Sequence, residues 1–356
     1  MSRDDDLVLR EITEPVDLCL PSGVLNPAAV GWTRRPLHRA NLRVSGGLAV
    51  GDAIGRAAMW SRTKRWEYWC VITPTHVLAT TVSSLNYAGV HAVWLLDRGS
   101  GEQVEAAVTA PLGGDVTMPT TVGGGPVRAR SGRLAIAVDP APGEGPRPGA
   151  RLRAVSPRVR CDLRIEVPPG HESLGVVVPW SDRQFQYTVK DVALPVSGTI
   201  WVDGREVPVE ERAPSWAVMD VGRGRWPYSV VWNWGTGSGV VGGVVTGLQL
   251  GGKWTDGTGS TENALLLDGR VHHLGEDLSW AYDPGDHMAP WFVTGSRVDV
   301  RLEPFAERTS ATRLGIISSE QHQVFGTWSG WVQDDGGARR SVDGLVGFAE
   351  DVANRW

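Results

Sequence analysis

Cysteine is scarce in this chain, and its few cysteines argue against two kinds of architecture. Cys19, Cys70 and Cys161 lie far apart, their number is odd, and none belongs to a CxxC pair. A disulfide framework pairs cysteines in even numbers, and a zinc ribbon needs closely spaced pairs of cysteines. We therefore expect three free, mostly buried thiols and a reducing, cytoplasmic location.

Long apolar runs and an excess of basic charge are also missing. The N-terminal segment MSRDDDLVLREITEP is acidic and lacks the apolar core of a secretory signal. No run approaches the ~20 apolar residues that a membrane-spanning helix needs. The formal net charge is -5, whereas nucleic-acid binding needs concentrated positive charge. We expect neither a membrane span nor a nucleic-acid partner.

The familiar catalytic and metal-binding motifs do not occur. There is no GxSxG, P-loop, HExxH or EF-hand pattern. The string GSGVVG at 237–242 fits GxGxxG, but strand-like residues follow it where a dinucleotide fold requires a helix. The adjacent His272 and His273 would point to opposite faces of a strand, so they cannot easily share a metal. We expect no metal site and no cofactor.

Glycine, proline and alternating apolar residues are plentiful, and they predict an all-β protein. Forty-five glycines and 23 prolines leave little room for long helices. Asp-Gly pairs between alternating strands predict hairpins over Thr199–Val209 and Ala264–Leu274. Only LVGFAEDVANRW (345–356) and DAIGRAAMWSR (52–62) are candidate helices.

The chain is long enough for two antiparallel β-barrel or β-sandwich domains in tandem. We predict an N-terminal extension over residues 1–20, a first β domain over 21–197, and a second over 198–356. The second domain is predicted to end in a short helix. The boundary is placed near Ser197, just before the first Asp-Gly hairpin.

Tryptophan is unusually frequent, with 17 residues against five tyrosines and five phenylalanines. Many of these indoles lie in three clusters, residues 168–190, 222–239 and 251–263. One interpretation is an ordinary aromatic core with polar turns. The other is a tryptophan-lined pocket for a small molecule. In that case the ligand-binding candidates are Gln186, Tyr187, Trp232, Asn233, Trp234, Trp254 and Asn263.

Two carboxylates within the third cluster, Asp256 and Glu262, are candidate acids. A carboxyl group buried among indoles has a raised pKa, and in its neutral form it can donate a proton to an alkene or enol. Nearby indole faces can stabilise the resulting cation. Glu67, in the stretch RWEYWCVIT, is expected instead to pair with Arg65 or Lys64. The same stretch is predicted to be a strand that separates two environments.

Several strings, among them KRWEYWCV, PPGHESLGVVVPW, GRGRWPYSVVWNW, GGKWTDGTGSTEN and DGLVGFAED, give the chain a family resemblance. The chain resembles an uncharacterised bacterial family, domain of unknown function 2804, from about Pro21 to Trp356. That family is similar to the hydroxyneurosporene synthase and AttH-like group. The resemblance implies two tandem lipocalin-like domains and a hydrophobic ligand, with no metal or nucleotide. It supplies no catalytic residues.

Together these features predict a protein that binds a lipid, isoprenoid, polyene or polyketide-like molecule in a tryptophan-lined cavity. As an enzyme it would be a cofactor-independent hydratase, isomerase or cyclase that uses Asp256 or Glu262 as the acid. The alternative is a non-catalytic intracellular lipid carrier. A third interpretation makes the tryptophans core residues of an assembly partner. The sequence names neither the ligand nor the oligomeric state.

Overall fold

A computed structural model describes residues 9–42, 61–111, 113, 115–210, 214–314 and 317–356. Almost all of its regular structure is β, and a short 3₁₀ turn spans Pro27–Ala29. The strands are β1 Val16–Asp17, β2 Trp32–Thr33, β3 His38–Arg39, β4 Thr63–Ile72, β5 His76–Ser84, β6 Ala88–Asp97, β7 Gln103–Pro111, β8 Val116–Thr117, β9 Val127–Ser131, β10 Leu134–Ala141, β11 Gly149–Val155, β12 Val159–Ile165, β13 Leu174–Pro179, β14 Phe185–Val202, β15 Arg205–Val209, β16 Trp216–Arg225, β17 Ser229–Val241, β18 Val244–Gly252, β19 Asn263–Leu267, β20 Arg270–Leu274, β21 Ser279–Ala281, β22 Trp291–Thr294, β23 Val298–Leu314, β24 Ile317–Gln333, β25 Arg339–Ser341 and β26 Leu345–Arg355. The prediction of an all-β protein is confirmed.

The strands form two large curled sheets and a small parallel pair, β1 with β3. The first large sheet runs β7-β6-β5-β4-β16-β14-β12-β11-β10-β9-β8, and β13 and β15 also pair with β14. The second runs β20-β19-β18-β17-β26-β24-β23-β22-β21, and β25 also pairs with β24. Each sheet therefore curls into a half-barrel with its own interior.

Both predicted Asp-Gly hairpins are present. Asp203 and Gly204 join β14 to β15 with φ of 49° and 81°, and Asp268 and Gly269 join β19 to β20 with φ of 45° and 83°. Two successive residues with positive φ make a type I′ turn, whose twist matches that of the flanking strands. These turns fix the register of both hairpins.

The predicted C-terminal helix is wrong, because residues 345–355 form β26 between β17 and β24. Leu345 and Ala349 face one core, whereas Val346 and Phe348 face another. A strand buried on both faces lacks alternation between apolar and polar residues, so its pattern resembles that of a helix. The other candidate helix, 52–62, lies outside the described residues apart from Ser61 and Arg62.

The domain bounds stay a prediction. The boundary proposed near Ser197 falls inside β14, and the chain leaves the first large sheet only after β16. The second sheet starts at β17, so the passage between sheets takes place over residues 226–228.

The described residues form three apolar clusters. One lies inside the first half-barrel, one inside the second, and one is shared between the two sheets. Strand β4 separates two of them, since Tyr68 and Cys70 face the shared cluster while Trp69 and Val71 face the first interior. This confirms the two environments predicted for that strand.

All three cysteines are free and buried, as expected. Among the described residues, no helix has the length and apolar character needed to span a membrane.

Candidate functional site

A cavity of about 170 Å³ lies between the two sheets. Strands of both sheets contribute to its wall, including β4, β14 and β16 from the first and β17, β24 and β26 from the second. Six tryptophans line it, Trp66, Trp226, Trp232, Trp234, Trp254 and Trp356. Lys190, Asp220, Glu262 and Glu350 line it as well. The cavity thus combines an aromatic wall with charged side chains of both signs, and Arg308 also lines it.

Trp226 is the centre of the aromatic wall. It lies on the passage between the sheets and is 2% exposed. Its ring stacks on Trp254 at 5.5 Å and 23°, and it meets Trp66 at 5.3 Å, Trp232 at 6.1 Å and Trp356 at 5.8 Å. Each such aromatic pair adds about 0.5–1.5 kcal/mol beyond the area that it buries. The indoles therefore hold one another in fixed positions.

Three of these indoles donate hydrogen bonds to carboxylates of the cavity. Trp66 Nε1 donates to Asp220 at 2.7 Å, and Trp254 Nε1 donates to Glu262 at 2.7 Å. Trp232 Nε1 donates to Glu350 at 3.0 Å. Each bond satisfies the one polar atom of an indole and fixes the direction of a carboxyl group.

Lys190 connects two of the acids. Its Nζ lies 3.0 Å from Asp220 Oδ1 and 3.3 Å from Glu262 Oε2, and it lies 3.9 Å from the centre of the Trp234 ring. Burial alone would lower the pKa of Lys190, but Asp220 and Glu262 raise it above its ordinary value. Lys190 is therefore a buried ammonium held by two carboxylates and an indole face.

The other two acids have pKa values close to neutral. Burial raises the pKa of Glu262 to about 7, although Lys190 opposes this change. Burial also raises the pKa of Glu350 to about 7, against the opposing effects of Trp232 and Lys190. Two carboxyl groups in one cavity can therefore exchange protons at physiological pH, which is what general acid–base chemistry requires.

The structure places four of the predicted site residues in the wall of this cavity: Trp232, Trp234, Trp254 and Glu262. Gln186 lies behind the wall, where its Oε1 accepts a hydrogen bond from Trp226 Nε1 at 2.8 Å.

The remaining predicted residues lie elsewhere. Tyr187 faces the first half-barrel beside His38. Asn233 Nδ2 donates to the backbone carbonyl of Glu350, and Asn263 accepts from the backbone N–H of Gly251. Asp256 is exposed in a turn, where it accepts from the backbone N–H of Lys253 at 2.9 Å. The structure does not bring Asp256 together with Glu262.

The predicted partners of Glu67 are wrong. Its carboxylate accepts from Trp69 Nε1 at 2.9 Å and lies 3.8 Å from Arg223 of the neighbouring β16. Arg65 donates to Ser84, and the Lys64 ammonium lies over the Tyr87 ring. The ion pair of Glu67 thus forms with a residue of the neighbouring strand, whereas the sequence suggested a partner on its own strand.

Sequence reasoning missed Asp220, Trp226, Glu350 and Trp356 as cavity residues. It noted Lys190 without selecting it, and it left Trp66 as either a core or a cavity-wall residue. Asp220 had a visible signal, since it is a single carboxylate inside the apolar run WAVMDVG. The incorrect helix at 345–356 hid Glu350, because a helix there would not pair with the strand that carries Trp232.

The family profile described as domain of unknown function DUF2804 matches residues 9–356. The chain belongs to the DUF2804 family. No curated protein matches this DUF2804 chain.

Solved structures of other proteins resemble the DUF2804 chain at low identity. CghA, in a crystal structure with Sch210972, has a TM-score of 0.53 and 11% identity, covering 83% of this chain and 89% of CghA. An AttH-like protein from Nitrosomonas europaea has a TM-score of 0.51 and 13% identity, covering 81% and 92% of the two chains. Kievitone hydratase from Nectria haematococca has a TM-score of 0.49 and 11% identity, covering 82% and 88%. The tandem lipocalin-like fold implied by the resemblance is confirmed.

Proposed function

We propose that this DUF2804 protein binds a small hydrophobic molecule in the cavity between its sheets and protonates it from Glu262. One observation carries the proposal: two carboxyl groups with pKa values of about 7 lie in a cavity walled by six indoles. The CghA structure contains the small molecule Sch210972, which supports a small-molecule role for this fold.

The proposed chemistry begins with proton transfer from Glu262 to an alkene or enol carbon of the ligand. The positive charge that develops on the ligand would face the indole rings, where cation–π attraction is worth about 2 kcal/mol in a desolvated site. In a hydration, water would attack this cation while ionised Glu350 accepts the proton that the water loses. In an isomerisation, the cation would lose a proton from a neighbouring carbon to ionised Glu350. In a cyclisation, a second double bond of the ligand would attack the cation, and the ring-closed cation would then lose a proton to Glu350.

The dimensions of the cavity restrict the ligand. Drug-sized ligands occupy pockets of roughly 300–1,000 Å³, whereas this cavity measures about 170 Å³. It can therefore hold a small molecule, or the reacting end of a longer isoprenoid or polyketide-like molecule. This size favours an enzyme over a carrier that encloses a complete lipid.

Solvent deuterium provides a direct test. Purified protein is incubated in D₂O with an extract of hydrophobic metabolites, and the recovered molecules are analysed by mass spectrometry. A protonation at carbon leaves deuterium in a carbon–hydrogen position that does not exchange during work-up. We expect at least one labelled product with the native protein and none with Glu262→Gln.

Glu206→Gln is the matched control, because Glu206 is an exposed carboxylate on β15. It should label the same product at the native rate. Recovery of an intact, unlabelled ligand would identify a carrier and contradict the proposal. Recovery of no ligand, together with indole fluorescence that no hydrophobic compound changes, would favour the interpretation of the tryptophans as core residues.

A further inference from the structure

A second group of ionisable side chains lies on the face of the second sheet that points away from the cavity. His287 lies between β21 and β22, Glu307 is on β23, and His322 is on β24. One ligand atom from each of the three residues lies within 4.8 Å of the others. We propose that these three residues bind a divalent first-row transition metal ion, for which Zn²⁺ is the natural probe.

The two imidazoles present the same nitrogen to one carboxylate. His322 Nδ1 lies 2.7 Å from Glu307 Oε1, and His287 Nδ1 lies 3.9 Å from the same oxygen. The rings stack at 3.9 Å with an angle of 10° between their planes. A metal ion at the ring edges that face Glu307 would be bound by the in-plane Nδ1 lone pair of each ring and would draw His287 toward Glu307.

The far nitrogen of each ring also faces a carboxylate. His287 Nε2 lies 3.8 Å from Asp351 Oδ2, and His322 Nε2 lies 3.8 Å from Glu320 Oε1. Histidines that bind metals regularly direct their second nitrogen to a carboxylate, which fixes the ring and makes it a better ligand. His287 Nε2 is buried and has no hydrogen-bond partner within bonding distance. A small shift of the ring on metal binding would supply one.

The neighbouring aromatic residues hold His287 in place. Trp291 Nε1 donates to the backbone carbonyl of His287 at 2.9 Å, and Tyr282 stacks on Trp291 at 3.9 Å. His322 is directly opposite Asp351 in the pairing of β24 with β26. Two ligands are thus fixed by a sheet and the third by a packed loop, so the site is largely formed before metal enters.

The charge balance also favours a cation. Glu307, Glu320 and Asp351 surround the two rings. Two cations contact these acids: Lys253 lies 2.8 Å from Asp351, and Arg313 lies 3.8 Å from Glu320. Two imidazoles and one carboxylate are a common ligand set for zinc and for iron(II), and they leave positions for water or substrate. The proposal differs from the sequence-based prediction of no metal site, because ligands at 287, 307 and 322 form no linear motif.

The site is separate from the cavity. Consecutive residues of β26 point to opposite faces, so Glu350 enters the cavity whereas Asp351 faces the histidines. The inference therefore does not depend on the proposed function, and either can fail alone.

The test is a competition titration on the full chain after EDTA treatment and dialysis. Zn²⁺ is added in the presence of a chromophoric chelator, and Co²⁺ is added separately to record its visible absorption. We expect one equivalent of Zn²⁺ to be bound tightly enough to compete. His322→Gln and His287→Gln should each weaken binding at least 100-fold, and Asp351→Asn should weaken it about 10-fold to 100-fold.

His76→Gln is the matched control, since His76 lies on β5 of the other sheet, and it should bind Zn²⁺ as the native protein does. Circular dichroism in EDTA checks that each variant is folded. If a histidine variant does not fold, Glu307→Gln and the Co²⁺ spectrum provide the result. Absence of a stoichiometric site in the folded native protein, or equal affinity in all folded variants, would overturn the proposal.

Discussion

The substitution Glu350→Gln tests whether the cavity holds a carboxyl group that keeps its proton near neutral pH. Glu350 is 4% exposed, and burial raises its pKa from 4.5 to about 7. As pH rises through this interval, the unfolded chain releases the proton while the folded protein retains it. The free energy of unfolding therefore falls with pH, so the contribution of Glu350 is fully present below about 4.5 and is lost by about 7.

The size of the effect follows from the same interval. A carboxyl group whose pKa moves from 4.5 to about 7 on folding changes the free energy of unfolding by about 3 kcal/mol. Glutamine does not titrate, so this contribution is missing in the variant. The unfolding free energy of Glu350→Gln minus that of the native protein should therefore rise by about 3 kcal/mol as the pH increases from about 4.5 to about 7.5. The altered hydrogen bonds to Trp232 and Gln321 add an offset that is largely independent of pH.

The measurement is urea unfolding followed by circular dichroism at several pH values, with the difference between variant and native protein plotted against pH. Exposed Glu206 again supplies the control, and Glu206→Gln should give a nearly flat difference. A flat difference for Glu350→Gln would refute the raised pKa. A slope of opposite sign would show that Glu350 is a stabilised anion, and the acid–base pair in the cavity would then be excluded.

Three further changes examine how the cavity is built. Trp226→Ala should cost about 3–5 kcal/mol of unfolding free energy, measured by urea titration, because it removes the centre of the aromatic wall; a loss below about 1 kcal/mol would contradict that role. Lys190→Met should cost about 3–5 kcal/mol at pH 8 and less at pH 5, since two buried carboxylates lose their cation; equal losses at both pH values would contradict the pairing. Gly251→Ala should cost about 1–3 kcal/mol, because a Cβ there would overlap the Glu262 carboxyl group. Gly143→Ala, which has open space around it, should leave the unfolding midpoint unchanged.

Local sequence patterns predicted the turns and the faces of isolated strands well. The two Asp-Gly pairs determine type I′ geometry through residues that are adjacent in the chain, so no distant contact is needed to identify them. The alternation around Trp66 and Trp69 likewise separated the two environments. Such features depend on neighbours along the chain and can be read before any tertiary contact is known.

The composition of the cavity depended on pairing between distant strands. Glu350 reaches Trp232 because β26 inserts between β17 and β24, and no spacing in the sequence indicates that insertion. The incorrect helix and the missed acid thus have one cause, a strand whose two faces are both buried.

Asp256 and Glu262 show the same limit at shorter range. They are six residues apart, yet one is exposed in a turn while the other is fully buried beneath Trp254. Residues 253–262 form the connection between β18 and β19, where composition does not determine which carboxylate turns inward. Only the tertiary structure separates the two candidates.

The choice of hydrogen-bond acceptors gives an independent argument that the cavity has a function. Every buried indole needs an acceptor, and a neutral amide is sufficient: Trp226 uses Gln186, Trp234 uses Gln249, and each distance is 2.8 Å. The indoles that use carboxylates at the cavity are Trp66, Trp232 and Trp254. Burying a carboxylate costs more than burying an amide, so stability alone would favour glutamine at these positions. Glu262 and Glu350 have pKa values raised to about 7 by burial, and such carboxyl groups at a cavity wall are more typical of a reactive site than of a packed core.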